Sequence, residues 1–190
     1  MNTKIRHFIW LFLIGFIPVA SSQAHDDSQI LSTILHRYYK TEKPVYKGRS
    51  QLLYLYCSRA NNNEELVEAI QGTQIPTDFK NEIRSKITDL TEIDWLTALE
   101  EVYVTDKTNL KQKINECLTL EKYHEVSKRL NLNNQRLMII SKPLYYSKSN
   151  IALVKVTFYR SIEHNSGSVL LLEKTNGNWT IKDYLNPWST

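Results

Sequence analysis

Glycine is scarce in this chain, and its scarcity excludes the nucleotide-binding folds that depend on glycine-rich loops. Only five glycines occur among 190 residues, and they are scattered singly along the sequence. A P-loop or a dinucleotide-binding turn needs several glycines close together, because the backbone must approach the phosphates closely. The sequence therefore predicts neither kind of nucleotide-binding protein, and we predict no cofactor.

A large charge of one sign is also missing. The formal net charge is +4 at pH 7, and it falls to +2 without residues 1–24, whose charged residues are Lys4 and Arg6. Electrostatic binding to nucleic acid needs a clustered basic face. We therefore predict no nucleic-acid partner.

Long apolar runs are absent except at the start of the chain. Residues 8–20 are uncharged and apolar, they follow Lys4 and Arg6, and Ser22 and Ala24 supply small residues for a cleavage site. This pattern is typical of a secretory signal peptide. The alternative, a membrane anchor, needs about 20 apolar residues, and Pro18 shortens this run further. We predict a signal peptide over residues 1–24, a periplasmic or secreted mature chain over 25–190, and no stable membrane span after cleavage.

Cysteine occurs twice, as Cys57 and Cys117. In an oxidising compartment, an even pair favours a disulfide, and the alternative is two buried thiols. Neither residue belongs to a C-x-x-C pair, so redox catalysis and a cysteine-rich metal site have no support.

The first half of the mature chain has helical periodicity. An apolar stripe recurs one and four residues apart in the first helix, at Ile30, Leu31, Ile34, Leu35 and Tyr38. Similar spacing predicts helices near residues 64–71, 79–87, 95–99, 110–118 and 126–130. The apolar segment at residues 52–56 is compatible with either a helix or a strand.

The last third alternates between apolar and polar residues, as strands do. Strands are predicted at 136–141, 151–160 and 168–174, and Asn176-Gly177 then marks a hairpin turn before a final strand. In that strand, Trp179, Ile181 and Leu185 are expected on one face. Because a meander needs its apolar face covered, we predict one α+β domain with N-terminal helices packed on a C-terminal antiparallel β-meander.

The end of the chain carries a recognisable set of motifs. Ser141-Lys142-Pro143 precedes an apolar strand, and Leu172-Glu173-Lys174 leads to Asn176-Gly177-Asn178-Trp179. The arrangement resembles the end of many uncharacterised secreted bacterial proteins, and more loosely NTF2-like and cystatin-like domains. The resemblance implies a fold and an exported setting, and it carries no catalytic residues. Such relatives often have a glycine-rich turn where residues 161–167 contain one glycine.

A few side chains are candidates for a site. Tyrosine is abundant, and its apolar body with a polar tip suits binding surfaces. We therefore select Tyr145, Tyr146 and Tyr159, which lie on or beside the predicted sheet, together with His164 in the 161–167 loop. His36 lies beside the apolar stripe of the first helix, either as a boundary residue or as an acid/base group in a pocket.

One polar pattern resembles a metal motif. Glu121 and His124 share a helix face as Glu-x-x-His, but no second copy exists at matching spacing. A solvated polar face accounts for them, so we predict no metal.

Two functions remain open at this point. The first is an exported, non-catalytic binding module for a protein partner or small ligand of the envelope, such as an immunity or inhibitor protein, which would use the sheet face and the 161–167 loop. The alternative is a small NTF2-like enzyme with an acid/base residue such as His36, Asp94 or Tyr159 in an apolar pocket. The absence of a catalytic motif favours the first.

Overall fold

The computed structural model describes residues 19–40, 52–114, 116–131 and 135–190. The helices in these ranges are α1 (Val19–Lys40), α2 (Glu64–Ala69), α3 (Thr77–Lys86), α4 (Leu96–Thr105), α5 (Leu110–Ile114) and α6 (Leu120–Leu130). The strands are β1 (Leu52–Tyr56), β2 (Cys117–Leu118), β3 (Gln135–Ile140), β4 (Leu144–Tyr145), β5 (Ile151–Ser161), β6 (His164–Thr175) and β7 (Asn178–Ser189).

The strands form one mixed sheet in the order β2-β1-β3-β5-β6-β7, with β4 paired to β5. The pairs from β3 onward are antiparallel, whereas β1 runs parallel to both β2 and β3. The predicted α+β class and its meander are confirmed, and residues 52–56 are a strand. The helix predicted across 110–118 is wrong at its end, because Cys117 and Leu118 pair with β1 as an edge strand.

The disulfide between Cys57 and Cys117 is confirmed. It joins the residue after β1 to β2, with the two Cα atoms 4.9 Å apart. The bond therefore fastens the short edge strand, which holds only two residues, to its parallel neighbour.

One face of the sheet carries the larger core. Helices α1, α4 and α5 pack there against alternate residues of β5, among them Ala152, Val154 and Val156. This is the face predicted from the alternation of that strand. The apolar stripe of α1 lies at the centre, because Ile30, Leu31, Ile34 and Leu35 are fully buried.

Helices also cover the opposite face, which the sequence pattern did not predict. Helices α2 and α3 pack over one part of it, against Leu153 and Val169, and α6 places Tyr123 over another part, against Leu137. Strand β5 therefore has buried residues on both faces, with Ala152, Val154 and Val156 on one face and Leu153 on the other.

The final strand changes face along its length. Leu172 pairs with Ile181, but its neighbour Leu171 pairs with Asp183, so β7 holds an extra residue at this point. Such a bulge reverses which side later residues face. Trp179 and Ile181 join the larger core while Leu185 packs on the opposite face, and the prediction that all three share one face is wrong.

The predicted loop at residues 161–167 is largely strand. Ser161 pairs with His164, and Ile162 and Glu163 alone form the turn between β5 and β6. Asn176 and Gly177 form the other tight turn, and both have positive φ, at 52° and 80°. The hairpin turn predicted at Asn176-Gly177 is therefore confirmed, whereas the loop predicted over residues 161–167 is wrong.

The predicted cleavage point after Ala24 lies within α1. Residues 1–18 of the predicted signal peptide fall outside the described residues. Within the described ranges, no helix combines the length and hydropathy that crossing a membrane requires.

Candidate functional site

Two acidic residues at the start of the packed part of α1 organise the polar centre of the molecule. Asp27 is buried, and its carboxylate accepts a hydrogen bond of 2.5 Å from the hydroxyl of Tyr145 in β4. Its other oxygen forms an ion pair with the guanidinium of Arg59, just after β1. A buried carboxylate is tolerated only when it is paired in this way.

Asp26, the preceding residue, makes corresponding contacts with β6 and β7. Its Oδ1 accepts a hydrogen bond of 3.0 Å from the indole nitrogen of Trp179 in β7, and it pairs with the ammonium of Lys174 in β6. The two adjacent carboxylates therefore tie α1 to β4 and the segment after β1 through Asp27, and to β6 and β7 through Asp26.

Arg59 is held by more than its ion pair. Its Nε donates a hydrogen bond of 2.9 Å to the carbonyl of Asp94, and its guanidinium lies 4.2 Å from the ring centroid of Trp95. Because these three contacts fix the guanidinium in place, its positive charge is held next to the carboxylate of Asp27 and stabilises it.

Tyr145 stays protonated at every physiological pH. Burial raises the pKa of its phenol, and the negative charges of Asp27 and Asp26 raise it further. The hydroxyl is therefore a fixed donor to Asp27.

A cleft of about 600 Å³ opens next to this network, and we call it the α1 cleft. It lies between the start of α1 and the connection from β4 to β5. The rings of Tyr145, Tyr146 and Trp179 line it, together with Lys174 and the polar residues 147–150. Its volume is in the range of small-molecule sites, which combine apolar walls with a few converging polar groups.

The far wall of the α1 cleft is also fixed. Tyr146 stacks on Phe79 with ring centroids 4.7 Å apart, and its hydrogen bond with Asp78 raises the pKa of its phenol. Asp78 also accepts a bond of 2.8 Å from Lys148, and the bonds from Lys148 and Tyr146 lower the pKa of that carboxyl to about 2. The cleft therefore presents prearranged groups of both charges.

A smaller cavity of about 270 Å³ lies on the other side of α1 and also touches Trp179. His25, Gln29 and Glu101 form part of its wall, and we call it the His25 cavity. A third cavity, of about 300 Å³, lies on the opposite sheet face beside Trp188 and Lys155.

The structure brings together two of the five predicted site residues. Tyr145 and Tyr146 both line the α1 cleft, whereas Tyr159 packs against Tyr123 and His124 on the opposite sheet face. Tyr159 lies seven positions along β5 from Ala152, the partner of Tyr145, which is about 23 Å of strand. His164 is exposed near the β5–β6 turn, 3.1 Å from the hydroxyl of Ser161.

His36 is bonded on both ring nitrogens. Its Nδ1 lies 2.7 Å from the carbonyl of Ser32, and its Nε2 lies 3.0 Å from a carboxylate oxygen of Asp106, whose side chain is only 2% exposed. Asp106 also accepts bonds from the backbone of Thr108 and Leu110 at the start of α5. His36 therefore lies at the edge of the core, supporting the start of α5.

The alternative enzyme would need one of His36, Asp94 and Tyr159 in an apolar pocket, and none of the three lines the α1 cleft, the His25 cavity or the cavity beside Trp188. Asp94 lies before α4 and caps it through the backbone of Leu96, at 3.0 Å, whereas His36 contacts the residue after α4. The ten residues of α4 therefore separate those two, about 15 Å of helix, and Tyr159 lies on the other sheet face. These three residues do not assemble into one site.

Glu121 and His124 are both exposed on α6. Across the described ranges, no group of three or more His, Cys, Asp or Glu side chains is arranged to hold a metal ion.

Sequence reasoning missed Asp26, Asp27, Arg59, Lys174 and Trp179 as site residues. One signal was available, because Asp27 precedes Leu31 by four residues and thus extends the buried stripe of α1. The partners of Asp26 and Asp27 carried no such signal, since they come from distant strands.

The fold and the α1 cleft define an α+β protein with an open, aromatic-walled cleft over a buried ionic network. Comparisons with protein-family models, with curated proteins and with solved structures find no match.

Proposed function

We propose that this chain is an exported, non-catalytic binding module of the cell envelope, of the immunity or inhibitor type, that receives a partner in the α1 cleft. The observation that carries the proposal is the arrangement of that cleft. Three aromatic rings and several polar groups face an open space of about 600 Å³, and the ionised groups around it are held by protein partners.

Prearranged groups favour binding over proton transfer. Asp26 and Asp27 are occupied by hydrogen bonds and ion pairs, and the raised pKa of Tyr145 keeps its hydroxyl protonated. Rigid aromatic walls lose little conformational entropy when a partner binds, which favours affinity.

The shape of the cleft favours a protruding segment of a protein partner. The exposed residues 147–150 border it, so that a loop or chain end can enter from solvent. Export through residues 1–24 places the module in the envelope, where the proposed partner would be an enzyme or toxin that acts there.

Site-specific photo-crosslinking tests the proposal. A photoreactive amino acid placed at Ser149, at the border of the α1 cleft, should capture a discrete protein from envelope of the native host. The same group at Val104, which is 86% exposed on α4, is the matched control and should capture nothing. Equal capture at both positions, or none at Ser149, contradicts a binding role for the cleft.

A second variant connects the captured protein to the cleft walls. Tyr146→Ala in the Ser149 crosslinking chain should remove the product, because it removes one aromatic wall. Circular dichroism of that variant must show a folded chain. A folded Tyr146→Ala chain that still captures the protein at the original yield excludes Tyr146 from the interface.

A further inference from the structure

The cavity of about 300 Å³ on the sheet face covered by α2 has walls of a distinct chemistry, and we call it the Trp188 cavity. Its walls come from α2, β5, β6 and the end of β7, and it shares no lining residue with the α1 cleft. Its volume is at the lower end of the range for small-molecule sites, so it suits a small ligand.

A second bulge in β7 turns Trp188 toward this cavity. Val169 of β6 pairs with Leu185, and Gly167, two residues earlier, pairs with Trp188, three residues after Leu185. Strand β7 therefore holds an extra residue here, and Trp188 faces the same side of the sheet as Leu185. Asn186, within the bulge, has a positive φ of 44° and also lines the cavity. The irregular end of β7 thus serves to aim two residues at one space.

The indole of Trp188 is held in place by the absence of a side chain at Gly167. A Cβ on Gly167 would lie 2.8 Å from the ring, so the indole lies directly against the backbone of β6. The rest of Trp188 is partly exposed and lines the cavity. A ring that is already packed on one part of its surface loses little conformational entropy when a ligand contacts another part.

The charged side chains of the Trp188 cavity are two carboxylates, of Glu65 and Glu68, and one ammonium, of Lys155, which gives a net charge of −1. Lys155 forms an ion pair with Glu65. Glu68 follows Glu65 by three residues on α2, so the two carboxylates lie on one side of the helix. The carboxylate of Glu68 makes no hydrogen bond or ion pair within the described ranges, and its negative charge is therefore uncompensated.

We propose that the Trp188 cavity binds a small organic cation of the quaternary ammonium type, with its charge against the indole of Trp188 and Glu68 as its counter-ion. The indole is the aromatic side chain that attracts cations most strongly, and quaternary ammonium groups are recognised by aromatic faces. This site goes beyond the proposed function and is independent of the partner of the α1 cleft.

The walls favour a methylated cation over the other small ligands. An anion is repelled by the net negative charge. A primary ammonium has three N–H donors that need acceptors once it leaves water, and Glu68 is the one uncompensated carboxylate that lines this cavity. A quaternary ammonium has no N–H, and its methyl groups match the apolar walls at Ala69 and Val169.

Nuclear magnetic resonance of the purified protein tests the proposal, with choline as the probe. The indole N–H signal of Trp188 is assigned by its loss in Trp188→Phe. Titration with choline chloride should shift this signal to saturation. The neutral analogue of choline, in which a carbon atom replaces the nitrogen, has the same shape and should bind about tenfold more weakly, because it lacks the charge. Sodium chloride at equal concentrations corrects for ionic strength.

Variants identify the charges that act on the ligand. Glu68→Gln should weaken choline binding about fivefold, the size expected for a partly exposed ion pair. Glu64→Gln, on the same helix but outside the cavity, is the matched control and should leave the affinity nearly unchanged. Lys155→Met keeps the apolar stem and removes a positive charge, so it should strengthen choline binding. Urea unfolding identifies the variants that remain folded.

Each of four results overturns the proposal. The first is the absence of a saturable shift of the Trp188 signal with choline, and the second is equal affinity for choline and its neutral analogue. The third is equal affinity of the Glu68→Gln and Glu64→Gln chains, and the fourth is a folded Lys155→Met chain that binds choline no better than the unaltered chain. None of these results affects protein capture at Ser149, because the two sites share no lining residue.

Discussion

The hydroxyl of Tyr145 donates a hydrogen bond of 2.5 Å to Oδ1 of Asp27, a residue 118 positions earlier in the chain. This bond joins β4 to the first helix and places one wall of the α1 cleft. Because Asp27 is buried and charged, the fold is stable only if hydrogen-bond donors and a counter-ion face this carboxylate.

Tyr145→Phe should therefore lower the free energy of unfolding by about 1.5–3 kcal/mol, the usual contribution of a hydrogen bond to a charged group. The phenyl ring retains its contact with Trp179. Urea unfolding at pH 7 measures the effect. Tyr184→Phe is the control, since that hydroxyl accepts a bond from Arg37 at an exposed position, and its effect should be much smaller. Equal effects in the two variants would show that Asp27 does not need this donor.

Substitution by alanine should destabilise the protein at both Gly167 and Gly177, but for a different physical reason at each position. A Cβ at Gly167 would lie 2.6 Å from the carbonyl oxygen of Val156 and 2.8 Å from the ring of Trp188. Gly167→Ala should therefore lower stability by about 1–3 kcal/mol through overpacking, as measured by urea unfolding.

A Cβ at Gly177 meets nothing within 4 Å, but this residue has φ of +80°. Gly177→Ala should lower stability by about 1–2 kcal/mol through backbone strain alone. Gly177→Asn should recover part of this loss, because asparagine tolerates positive φ, whereas Gly167→Asn should be worse than Gly167→Ala. The opposite order would refute these assignments.

Removing the disulfide should be costly. Cys57 and Cys117 are 60 residues apart, and closing a loop of that size stabilises by about 4 kcal/mol in the chain-entropy estimate. The double variant Cys57→Ala/Cys117→Ala should lose stability of this order in urea unfolding. Reduction of the unaltered chain should produce a similar loss, and an unchanged midpoint after complete reduction would contradict the prediction.

Asp106 should make the protein sensitive to acid. Burial raises the pKa of Asp106, but hydrogen bonds from Thr108, Leu110 and His36 outweigh it, so the folded-state pKa lies far below the usual 3.8. A carboxyl with a depressed pKa adds stability above its unfolded pKa, and this stability is lost as the pH falls through the folded pKa.

Asp106→Asn should therefore destabilise the protein at pH 7, and the difference from the unaltered chain should shrink as the pH falls below about 4. Thermal midpoints measured between neutral and acidic pH give both curves. Glu163→Gln, in the exposed β5–β6 turn, should leave the pH dependence nearly unchanged. Parallel curves for Asp106→Asn and the unaltered chain would show that this carboxyl does not contribute.

Local patterns predicted the elements whose cause is local. The stripe from Ile30 to Leu35 predicted α1, and Asn176-Gly177 predicted a hairpin turn, because both depend on residues adjacent in sequence. Prediction failed where distant pairing decides the outcome. The apolar spacing predicted Cys117 and Leu118 to be helical, but they form a strand because β1 and the disulfide hold them at the sheet edge. Leu185 changed face because of a bulge that depends on the register with β6.

The candidate site shows the same division. Tyr145 and Tyr146 could be predicted as binding residues because they are tyrosines beside a predicted strand, and both line the α1 cleft. Asp26, Arg59 and Lys174 could not be predicted as site residues, because such charged residues are common on protein surfaces and no pattern in the neighbouring sequence distinguishes them.

The sequence by itself determined the α+β class and the faces of the central strand β5, and it favoured a disulfide between its only two cysteines. These follow from periodicity, turn residues and counting, which need no knowledge of distant contacts. The tertiary structure alone decided that helices cover both faces of the sheet and that Asp26 and Asp27 meet donors from β4, β6, β7 and the segment after β1. The physical reason is that burial and ion pairing depend on which distant segments pack together, and local patterns do not encode that choice.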